Sequence, residues 1–395
     1  MIMMNHPCPT RRKNTEGVAL LLALLFVVLL AAIVTDFIYK VQVEASLVSS
    51  QNSDHEGYLA AKSGIATGMS ILHADRLKDL DESEAGGMYD GLDEPWAQKG
   101  SVTSFNDDVV NITISDEYGK INLNALIYEN ANGEEVEHPV LVPLLREIFI
   151  SILGLEEDPT DVILDWLDAD DEQRTNGAES DYYESMETPF SCKNGPMDSL
   201  EELLLLPGIA PELYFGLPLE EEEGIFDSTL SDEEEKEAFT ESQTIPLFDL
   251  FTVHGHPEGK LNANTMPLAA ELEPMIIEFY NQNLQDPRFE LKSTGMVIET
   301  RRGEDLTYFS SEADLQNAGL AYALQPQNGQ AQGTEVADPP RQIFTTQSNV
   351  FRIWSDGQSN DAEVRVEAFV FRDPIDNTAN PEPQLFRTID WRVVR

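Results

Sequence analysis

Residues 17–34 read GVALLLALLFVVLLAAIV, an uncharged stretch that follows a basic leader containing Arg11, Arg12 and Lys13. With a rise of about 1.5 Å per residue, a helix over residues 18–34 is roughly 26 Å long, near the short limit for crossing a hydrocarbon core of about 30 Å. The basic leader favours the cytoplasmic side, and no second long apolar run follows. The sequence therefore predicts one membrane-spanning helix, with the C-terminal domain on the far side of the membrane.

Three interpretations of this N terminus are open. A secretory signal peptide usually has an apolar core of about 7 to 15 residues and a small-residue cleavage site. Here the core is longer, and no A-x-A triplet follows it. A plain uncleaved signal anchor fits the hydropathy. In the third interpretation, Gly17 is similar to the processing site of type IV pilins and pseudopilins, where cleavage follows the Gly and the apolar helix is kept.

Charge and cysteine content narrow the function classes. The chain carries 72 acidic and 25 basic residues in 395, for a formal net charge of -47. Such a charge repels phosphate backbones, so nucleic-acid binding is not expected. A chain of this length ordinarily holds about two or three domains. Because Cys8 lies in the leader, Cys192 remains alone after cleavage and no intramolecular disulfide is predicted.

A helical pattern continues beyond the apolar stretch. Apolar residues recur at mostly helical spacings, and no proline occurs between Pro9 and Pro95. We therefore predict one long helix over residues 18–77. Small residues in its second half lower the helix propensity and also permit the close approach of a neighbouring helix or sheet: Gly57, Gly64 and Gly68.

A seven-residue motif occurs twice, as GKINLNA at residues 119–125 and as GKLNANT at residues 259–265. In each copy an extended segment leads into a helical region. Asn124, or Thr265 in the second copy, is predicted to cap that helix because a short side-chain oxygen can satisfy first-turn N–H groups. The copies are either two similar strand-to-helix junctions or two related modules that open with the same turn.

Helix-starting patterns fill the segment between the two copies. Asp158-Pro159 predicts a helix start with Pro at the first helical position, and Ser199 with Glu202 predicts a capping box. The residues 206–209, LPGI, are typical of a helix-hairpin-helix element. Their acidic flanks lack Lys and Arg, so a structural hairpin is predicted. Residues 219–243 are strongly acidic and are predicted to form a solvated loop insertion.

Strand-like sequence follows the second copy. After a short helical region around residues 269–281, three segments alternate apolar and polar residues, at 350–354, 364–370 and 387–393. This alternation predicts an antiparallel sheet with one face buried.

The main candidate for a binding site is a pair of acidic segments, DWLDADD at residues 165–171 and GAESDYY at residues 177–183. Their carboxylates would repel one another unless they were exposed or neutralised by a cation. Calcium suits such a site because it accepts about six to eight oxygen ligands in flexible geometry. The spacing does not match an EF-hand loop. A solvated acidic loop after a helix is the alternative.

Catalytic motifs are missing from the sequence. It contains no G-x-S-x-G, H-E-x-x-H or G-x-G-x-x-G pattern and no P-loop. Acidic residues are too abundant for a pair of them to indicate glycosidase chemistry. We therefore expect a protein that is not an enzyme.

Several of these features occur together in one family. They are the GVALLL start at residues 17–22, the segment 116–125, LDWLD with Asp170 and Asp171, GAE with Tyr182-Tyr183, Asn194-Gly195-Pro196 before an SLEEL helix, and the second Asn-rich turn. Together they resemble the minor pseudopilin K of type II secretion systems, also called general secretion pathway protein K. The resemblance runs across nearly the whole chain.

The resemblance implies an α+β fold. Its parts are a pilin-like long N-terminal helix, an antiparallel β-sheet, and a large inserted α-helical domain of SAM-like or helix-hairpin-helix-like type. The implied organisation is a cleaved basic leader (1–17), the transmembrane part (18–35) and periplasmic part (36–80) of the helix, a first β portion (100–125), the inserted domain (126–285) with its acidic loop (219–243), and a C-terminal β portion (286–395).

The resemblance also implies a function and a location. The family's protein sits at the tip of the periplasmic pseudopilus, where it helps to initiate or cap pseudopilus assembly and so to export folded proteins across the outer membrane. The implied partners are the minor pseudopilins I and J, the major pseudopilin, the prepilin peptidase and inner-membrane lipid, without nucleic acid. The implied topology is a single pass through the inner membrane with a periplasmic C-terminal domain. A membrane-tethered periplasmic binding protein without a filament role is the alternative.

Individual residues acquire roles from the same resemblance. Gly17 becomes the last leader residue and Val18 the mature, methylated N terminus. Leu22 occupies the fifth mature position, where most pilins carry a Glu that neutralises the terminal amine of the preceding subunit. A subunit at the leading end has no subunit ahead to pair with, so an apolar residue is tolerable there. The candidate calcium ligands are Asp168, Asp170, Asp171, Glu179 and Asp181.

Overall fold

The computed structural model describes most of the chain after the leader. The described residues are 15–82, 88–98, 101–105, 108–130, 132–216, 245–303, 307–322, 341–359, 362–373 and 386–394. Most of the predicted leader, residues 1–14, and the whole predicted acidic loop, residues 219–243, lie outside them.

Helices and short strands alternate along the described residues. The helices are α1 (Thr15–Glu82), α2 (Leu141–Glu147), α3 (Thr160–Leu167), α4 (Ser180–Glu184), α5 (Pro211–Phe215), α6 (Leu247–Leu250), α7 (Ala269–Gln282), α8 (Val297–Gly303) and α9 (Glu312–Asn317). The strands are β1 (Ser101–Phe105), β2 (Asp108–Asp116), β3 (Ile121–Asn122), β4 (Ile127–Glu129), β5 (Glu135–Glu137), β6 (Phe251–Thr252), β7 (Leu261–Asn262), β8 (Phe344–Thr345), β9 (Val350–Ser359), β10 (Ala362–Phe371) and β11 (Arg387–Val394). Single 3-10 turns precede or follow several of them, at Pro95–Ala97, Leu123–Ala125, Leu200–Leu205 and Pro287–Phe289.

The long helix α1 confirms the prediction made from the apolar pattern. It spans 68 residues. Large apolar side chains from Val18 to Val48 are exposed, and within the described residues α1 is long and apolar enough to cross a membrane. One face of its second half is buried, through Ala61, Ile65 and Leu72. The helix therefore has an outer half that needs lipid or other helices and an inner half that belongs to the folded domain.

A five-stranded sheet packs against this buried face of α1. Its strand order is β1-β2-β9-β10-β11, and every neighbouring pair is antiparallel. The strands β9, β10 and β11 confirm the three antiparallel strands predicted from the sequence. The prediction that one face is buried was wrong for β9 and β10, because side chains on both faces of these strands are buried. The shared core is made by α1, β2, β9 and β10, with side chains of Ile112, Phe351, Ile353 and Val366.

Glycines set the distance between α1 and the sheet. A Cβ atom at Gly64 would lie 1.9 Å from Oγ of Ser355, and one at Gly68 would lie 2.8 Å from Cγ2 of Ile353. On the sheet side, a Cβ atom at Gly357 would lie 2.2 Å from the carbonyl oxygen of Gly57. Helix and strand backbones thus approach more closely than any larger residue permits.

The chain leaves the sheet after β2 and returns at β9, its direct neighbour in the sheet. The described residues in between form mostly short helices around a core of their own, which includes Leu141, Leu145, Phe149, Ile163 and Leu203. The capping box at Ser199 and Glu202 is present, and it starts a 3-10 helix. The boundaries 126–285 proposed for an inserted domain remain a prediction.

The two copies of the Asn-rich motif adopt the same local structure. In the first, β3 pairs in parallel with β6, and in the second, β7 pairs in parallel with β8. Oδ1 of Asn122 accepts a hydrogen bond from the N–H of Asn124 at 3.1 Å, and Oδ1 of Asn262 accepts one from Asn264 at 3.0 Å. The capping residue is therefore the first Asn of the motif, because its short side chain reaches the N–H two residues on.

This result corrects the predicted caps, Asn124 and Thr265. The Asn124 side chain instead pairs with both backbone groups of Met197, at 2.8 and 2.9 Å. In the same way, Oδ1 of Asn264 accepts from the N–H of Phe309 at 2.7 Å, and its Nδ2 donates to the carbonyl of Phe309 at 3.0 Å. The Thr265 hydroxyl donates to Oδ2 of Asp116 at 2.6 Å. The side chains predicted to cap a helix thus form hydrogen bonds with groups that are distant in sequence. The sequence alone does not reveal these partners.

The two copies also pack against each other reciprocally. Gly119, which opens the first copy, lies against Thr265, which closes the second. Gly259, which opens the second copy, lies against Ala125, which closes the first. This equivalence supports the interpretation of two related modules rather than two unrelated junctions.

Candidate metal centre

The acidic site begins at the C-terminal end of α3. A carboxylate oxygen of Asp158 accepts from the N–H of Thr160 at 3.0 Å and fixes the start of that helix. Two turns later Asp165 is fully buried, and Asp168 follows the last helical residue in an extended conformation. The eight-residue helix thus presents two carboxylates to the loop that follows it.

Arg174 folds this loop back over the helix end. Its Nη1 donates to Oδ1 of Asp165 at 2.8 Å and also to Oδ2 of Asp168. Its Nε donates to Glu137 at 3.2 Å. Arg174 is not among the residues predicted for this site, although an isolated Arg in an acidic run is a detectable signal for such a bridge.

A close approach at Gly177 brings the second acidic segment to the first. A Cβ atom there would lie 1.8 Å from Oδ2 of Asp165. Only Gly fits this position without moving the buried carboxylate. The next turn starts α4 and places Glu179 beside the end of α3.

Three of the five predicted ligands converge. Oxygen atoms of Asp168, Asp170 and Glu179 all lie within 4.8 Å of one another. Asp168 and Glu179 are buried, whereas Asp170 is exposed and lies at the rim. Oδ1 of Asp168 and both oxygens of Glu179 accept no hydrogen bond within the described residues. The weakly polar thiol of Cys192 lies nearby and acts to lower the pKa of Glu179, because it stabilises the charged carboxylate.

The other two predicted ligands lie outside this group of three. Asp171 is exposed, and its Oδ1 accepts from the Ser180 hydroxyl and from Nδ2 of Asn194, both at 3.1 Å. Asp181 is exposed in the first turn of α4. Their roles as ligands remain a prediction.

Asn194 lies beside the acidic segment and has a free side-chain oxygen, which the sequence did not indicate. It has a left-handed backbone with φ of 47°, and its Nδ2 donates to the carbonyl of Asp170 at 2.7 Å. Its Oδ1 is buried and has no hydrogen-bond partner within the described residues. The Asn-Gly dipeptide at 194–195 is the local signal for this turn.

The electrostatics of the group favour a bound positive charge. Burial, together with the nearby charges of Asp165, Asp168 and Asp171, raises the pKa of Glu179 from 4.5 to about 7. Burial also raises the pKa of Asp168, although Arg174 acts in the opposite direction. One Arg does not neutralise the four carboxylates of Asp165, Asp168, Asp170 and Glu179. Unpartnered carboxylate oxygens without any His ligand suit a hard, oxygen-preferring divalent cation, so the residues present fit calcium.

The architecture that carries this site is recognisable as a class. A long N-terminal helix, apolar and exposed in its first half and packed on an antiparallel sheet in its second, is the pilin-like arrangement. A solved structure shares the fold: a chain of the GspK-GspI-GspJ complex from the type 2 secretion system of enterotoxigenic Escherichia coli. The TM-score is 0.55, with 16% sequence identity over 88% of this chain and 99% of that chain.

Sequence comparisons find relatives of one family. Residues 119–218, which include the first Asn-rich motif and the acidic site, match the family model for type II secretion system protein K. The type II secretion system protein K of Klebsiella pneumoniae is 28% identical over 221 residues, which is 53% of this chain and 61% of that protein. Those of Pectobacterium carotovorum and Aeromonas hydrophila are 27% and 26% identical, over 51% of this chain and 61% of each relative. The chain thus spans about three fifths of the length of the curated relatives it matches. Residues 119–218 thus match the type II secretion system protein K family, and the chain is similar to curated proteins of that family.

Proposed function

We propose that this chain is a minor pseudopilin at the tip of the periplasmic pseudopilus of a type II secretion system. There it helps to initiate or cap pseudopilus assembly and so supports the export of folded proteins across the outer membrane. The supporting observation is the division of α1. Its exposed apolar half has no cover in the described chain, whereas its second half is fixed to the sheet through glycine contacts.

The first half of α1 supports membrane insertion and helix packing in a filament. Burying the exposed apolar side chains from Val18 to Val48 against lipid or neighbouring helices removes a large apolar surface from water. In the proposed topology residues 18–35 cross the inner membrane, the N terminus is cytoplasmic, and the sheet lies in the periplasm. The described short helices between β2 and β9 form the proposed inserted domain.

The proposed partners are the minor pseudopilins I and J, together with the major pseudopilin, the prepilin peptidase and membrane lipid. The structural relative was solved as a GspK-GspI-GspJ complex, which supports the first two. Leu22 supports a leading-end position, because an unpaired carboxylate in lipid would cost several kcal/mol and an apolar residue costs nothing. Polymerisation of the purified protein alone would contradict the capping role. The role proposed is structural and not catalytic.

Processing of the N terminus tests this function. The full chain is expressed with and without an active prepilin peptidase, extracted from the membrane, and its intact mass is measured. We expect a chain that starts at Val18 and carries one added methyl group, only when the peptidase is active. A catalytically inactive peptidase is the matched control.

Other masses would contradict the proposal. A chain that still starts at Met1 would support the tethered binding protein. A chain cleaved beyond Ala31 would indicate a secreted protein that has lost its apolar helix.

The proposed function includes a structural calcium ion at the acidic site. Asp168, Asp170 and Glu179 would hold it, with the free Oδ1 of Asn194 as a further oxygen donor. The ion would neutralise carboxylates that otherwise repel one another. It would also join α3, the Arg174 loop and α4, in a chain whose described residues contain one cysteine, Cys192.

Calcium is expected to stabilise the full chain in detergent. A ligand that binds only the native state at 100 times its dissociation constant adds about 2.7 kcal/mol to the free energy of unfolding. Glu179→Gln should remove this contribution, whereas Glu184→Gln, an exposed acid on the same helix, should retain it. The measurement is thermal unfolding with calcium or with chelator, and magnesium should have little effect.

In the metal-free protein, ionisation of the Glu179 carboxyl should lower the stability of the fold. Because its pKa in the folded state is raised to about 7, the carboxyl loses its proton at a lower pH in the unfolded chain than in the folded chain. Metal-free stability should therefore fall as pH rises from about 4.5 to about 7, and Glu179→Gln should reduce this fall. A calcium increment as large in Glu179→Gln as in the wild type would contradict the assignment.

A further inference from the structure

A second group of buried carboxylates lies at the C-terminal end of α1, away from the acidic site. Oxygen atoms of Asp75, Asp79 and Glu94 all lie within 4.8 Å of one another. Each of the three residues is no more than 6% exposed. Asp75 and Asp79 are one helical turn apart on α1, and Glu94 precedes the 3-10 turn at Pro95–Ala97.

The carboxylate of Asp75 has no hydrogen bond on either oxygen, and Oδ2 of Asp79 also has none within the described residues. Buried polar groups are nearly always hydrogen-bonded. The neighbouring Asp90 shows the ordinary arrangement. One of its oxygens accepts from the N–H of Ser348 at 2.7 Å, and the other accepts from Nη2 of Arg372. Asp75 and Asp79 thus present unpartnered oxygens towards a common point.

The charges of this region do not balance. Four buried carboxylates, on Asp75, Asp79, Asp90 and Glu94, face two buried guanidinium groups, on Arg76 and Arg372. Nη1 of Arg372 lies 3.6 Å from Oδ2 of Asp75, beyond hydrogen-bond distance, and Nε of Arg76 is also unpartnered. Lys78 is exposed. Nearby Asp116 accepts its own hydrogen bonds from Thr265 and Ser348. Within the described residues, the four carboxylates of Asp75, Asp79, Asp90 and Glu94 therefore carry two more negative charges than the two guanidinium groups balance.

We propose that Asp75, Asp79 and Glu94 bind one divalent cation, with Ca²⁺ as the ion that fits best. The two positive charges of the ion match the two surplus negative charges. The ligand group contains only oxygen, which excludes the soft-ligand metals. Mg²⁺ gives up its waters reluctantly, whereas Ca²⁺ accepts several carboxylates in irregular geometry, which suits a buried site.

Neighbouring groups hold Glu94 in place for this role. Its Oε2 accepts from the N–H of Gly91 at 3.0 Å and from Nε1 of Trp96 at 2.9 Å. Such hydrogen bonds orient a metal-binding carboxylate. In the metal-free protein, burial and the charge of Asp75 raise the pKa of Glu94 to about 8, so a proton takes part of the place of the cation.

The site joins three parts of the fold. Asp75 and Asp79 belong to α1, and Glu94 belongs to the segment that follows it. Asp90 in that segment accepts a hydrogen bond on its carbonyl from the second-motif Asn262 at 3.0 Å. Arg372, one residue after β10, donates to Asp90 and to the carbonyl of Ser348. A cation here would hold the helix end to the sheet and to the second Asn-rich motif.

Calcium stoichiometry and terbium luminescence test this site in the full chain in detergent. Asp79→Asn should bind one Ca²⁺ fewer per chain than the wild type, by equilibrium dialysis after chelation. Asp54→Asn, an exposed acid on the same helix, should bind as many as the wild type. The metal-free melting temperature of Asp79→Asn should be higher than that of the wild type, because one surplus buried charge is removed.

Terbium distinguishes this site from the one at α3. Trp96 lies beside Glu94 and Trp166 lies on α3, so each site has its own sensitising indole. We expect Trp96→Phe and Trp166→Phe each to lose part of the Tb³⁺ emission, because each indole sensitises the ion at its own site. In an Asp168→Asn background, where the α3 site is removed, one Ca²⁺ should remain, and adding Asp79→Asn should abolish it.

Three outcomes would overturn the proposal. The first is unchanged calcium stoichiometry in Asp79→Asn and in Glu94→Gln, which serves as the second variant if the first does not fold. The second is complete loss of calcium binding in Asp168→Asn alone, which would mean that the α3 site binds all of the calcium. The third is a lower metal-free melting temperature for Asp79→Asn, which would show that Asp79 acts as an ion-pair partner of the two Arg residues.

Discussion

Gly357→Ala is expected to lower the free energy of unfolding by about 3 kcal/mol, at the upper end of the range for overpacking a core. A Cβ atom at this position would lie 2.2 Å from the carbonyl oxygen of Gly57 and 2.4 Å from the backbone nitrogen of Ala61. Both atoms belong to the backbone of α1, which cannot move by rotating a side chain. The helix would have to lift from β9 and lose contacts along the shared core.

Helix-side and exposed glycines provide the comparison. Gly64→Ala meets a Ser355 side chain first, so part of the clash can be relieved by rotation, and we expect a smaller loss than for Gly357→Ala. Gly303→Ala, at the exposed last residue of α8, meets no described atom closer than 3.7 Å and should change stability by no more than about 0.5 kcal/mol. Urea unfolding of the three full-length variants in one detergent measures the differences. Equal losses at Gly357 and Gly303 would contradict the close helix–sheet contact.

Glu367→Ala should have the other large effect, a loss of about 3 to 5 kcal/mol, because it breaks a buried ion pair from one side. Glu367 is 1% exposed on β10. Its Oε1 accepts from Nε of Arg352 and from Nε1 of Trp354, the latter at 2.8 Å, and its Oε2 accepts from Nε of Arg392. Truncation leaves the buried Arg352 guanidinium without its counter-charge.

The effect should depend on pH with a defined sign. Burial acts to raise the pKa of Glu367, but the Arg392 hydrogen bond and the charges of Arg352 and Arg392 hold it below its usual value. A carboxyl with a depressed folded-state pKa stabilises the protein above its unfolded pKa of about 4.3 and loses that contribution as pH falls through the folded value. The stability gap between wild type and Glu367→Gln should therefore narrow below about pH 4.

An exposed acid on the same strand gives the matched control. Glu363→Gln should leave the free energy of unfolding close to that of the wild type at neutral pH. Unfolding by urea between pH 3 and pH 7 measures both variants. A stability gap for Glu367→Gln that does not change over this range would show that Glu367 is not charged in the folded chain.

Local sequence patterns were enough to predict the main elements. Apolar spacing predicted α1, approximate alternation of apolar and polar residues predicted β9, β10 and β11, and short polar side chains predicted the capping box at Ser199 and Glu202. Each of these signals depends on neighbours a few residues apart in the chain. Backbone hydrogen bonds and helix or strand periodicity act over that distance, so the sequence contains the information directly.

The sites show where local reasoning ends. The carboxylates of the α3 site could be predicted as a group because they are close in sequence. Their bridging partner Arg174 could have been found from its position in the acidic run, whereas the role of Asn194 depends on a left-handed turn. The second group left one trace in the sequence: Ile65, Leu72 and Asp79 are spaced by seven, so an acid lies on the buried face of α1.

Periodicity and composition within short segments are enough to predict the long helix, the C-terminal sheet strands and the acidic character of the α3 site. Which side chains meet depends on the tertiary structure. Asn124 binds Met197, Asn262 binds Asp90, and Glu94 joins Asp75 and Asp79, although they are distant in sequence or belong to different elements. Such partners are chosen when the helix packs on the sheet, since burial then forces every polar group to find a hydrogen bond, a counter-charge or a cation.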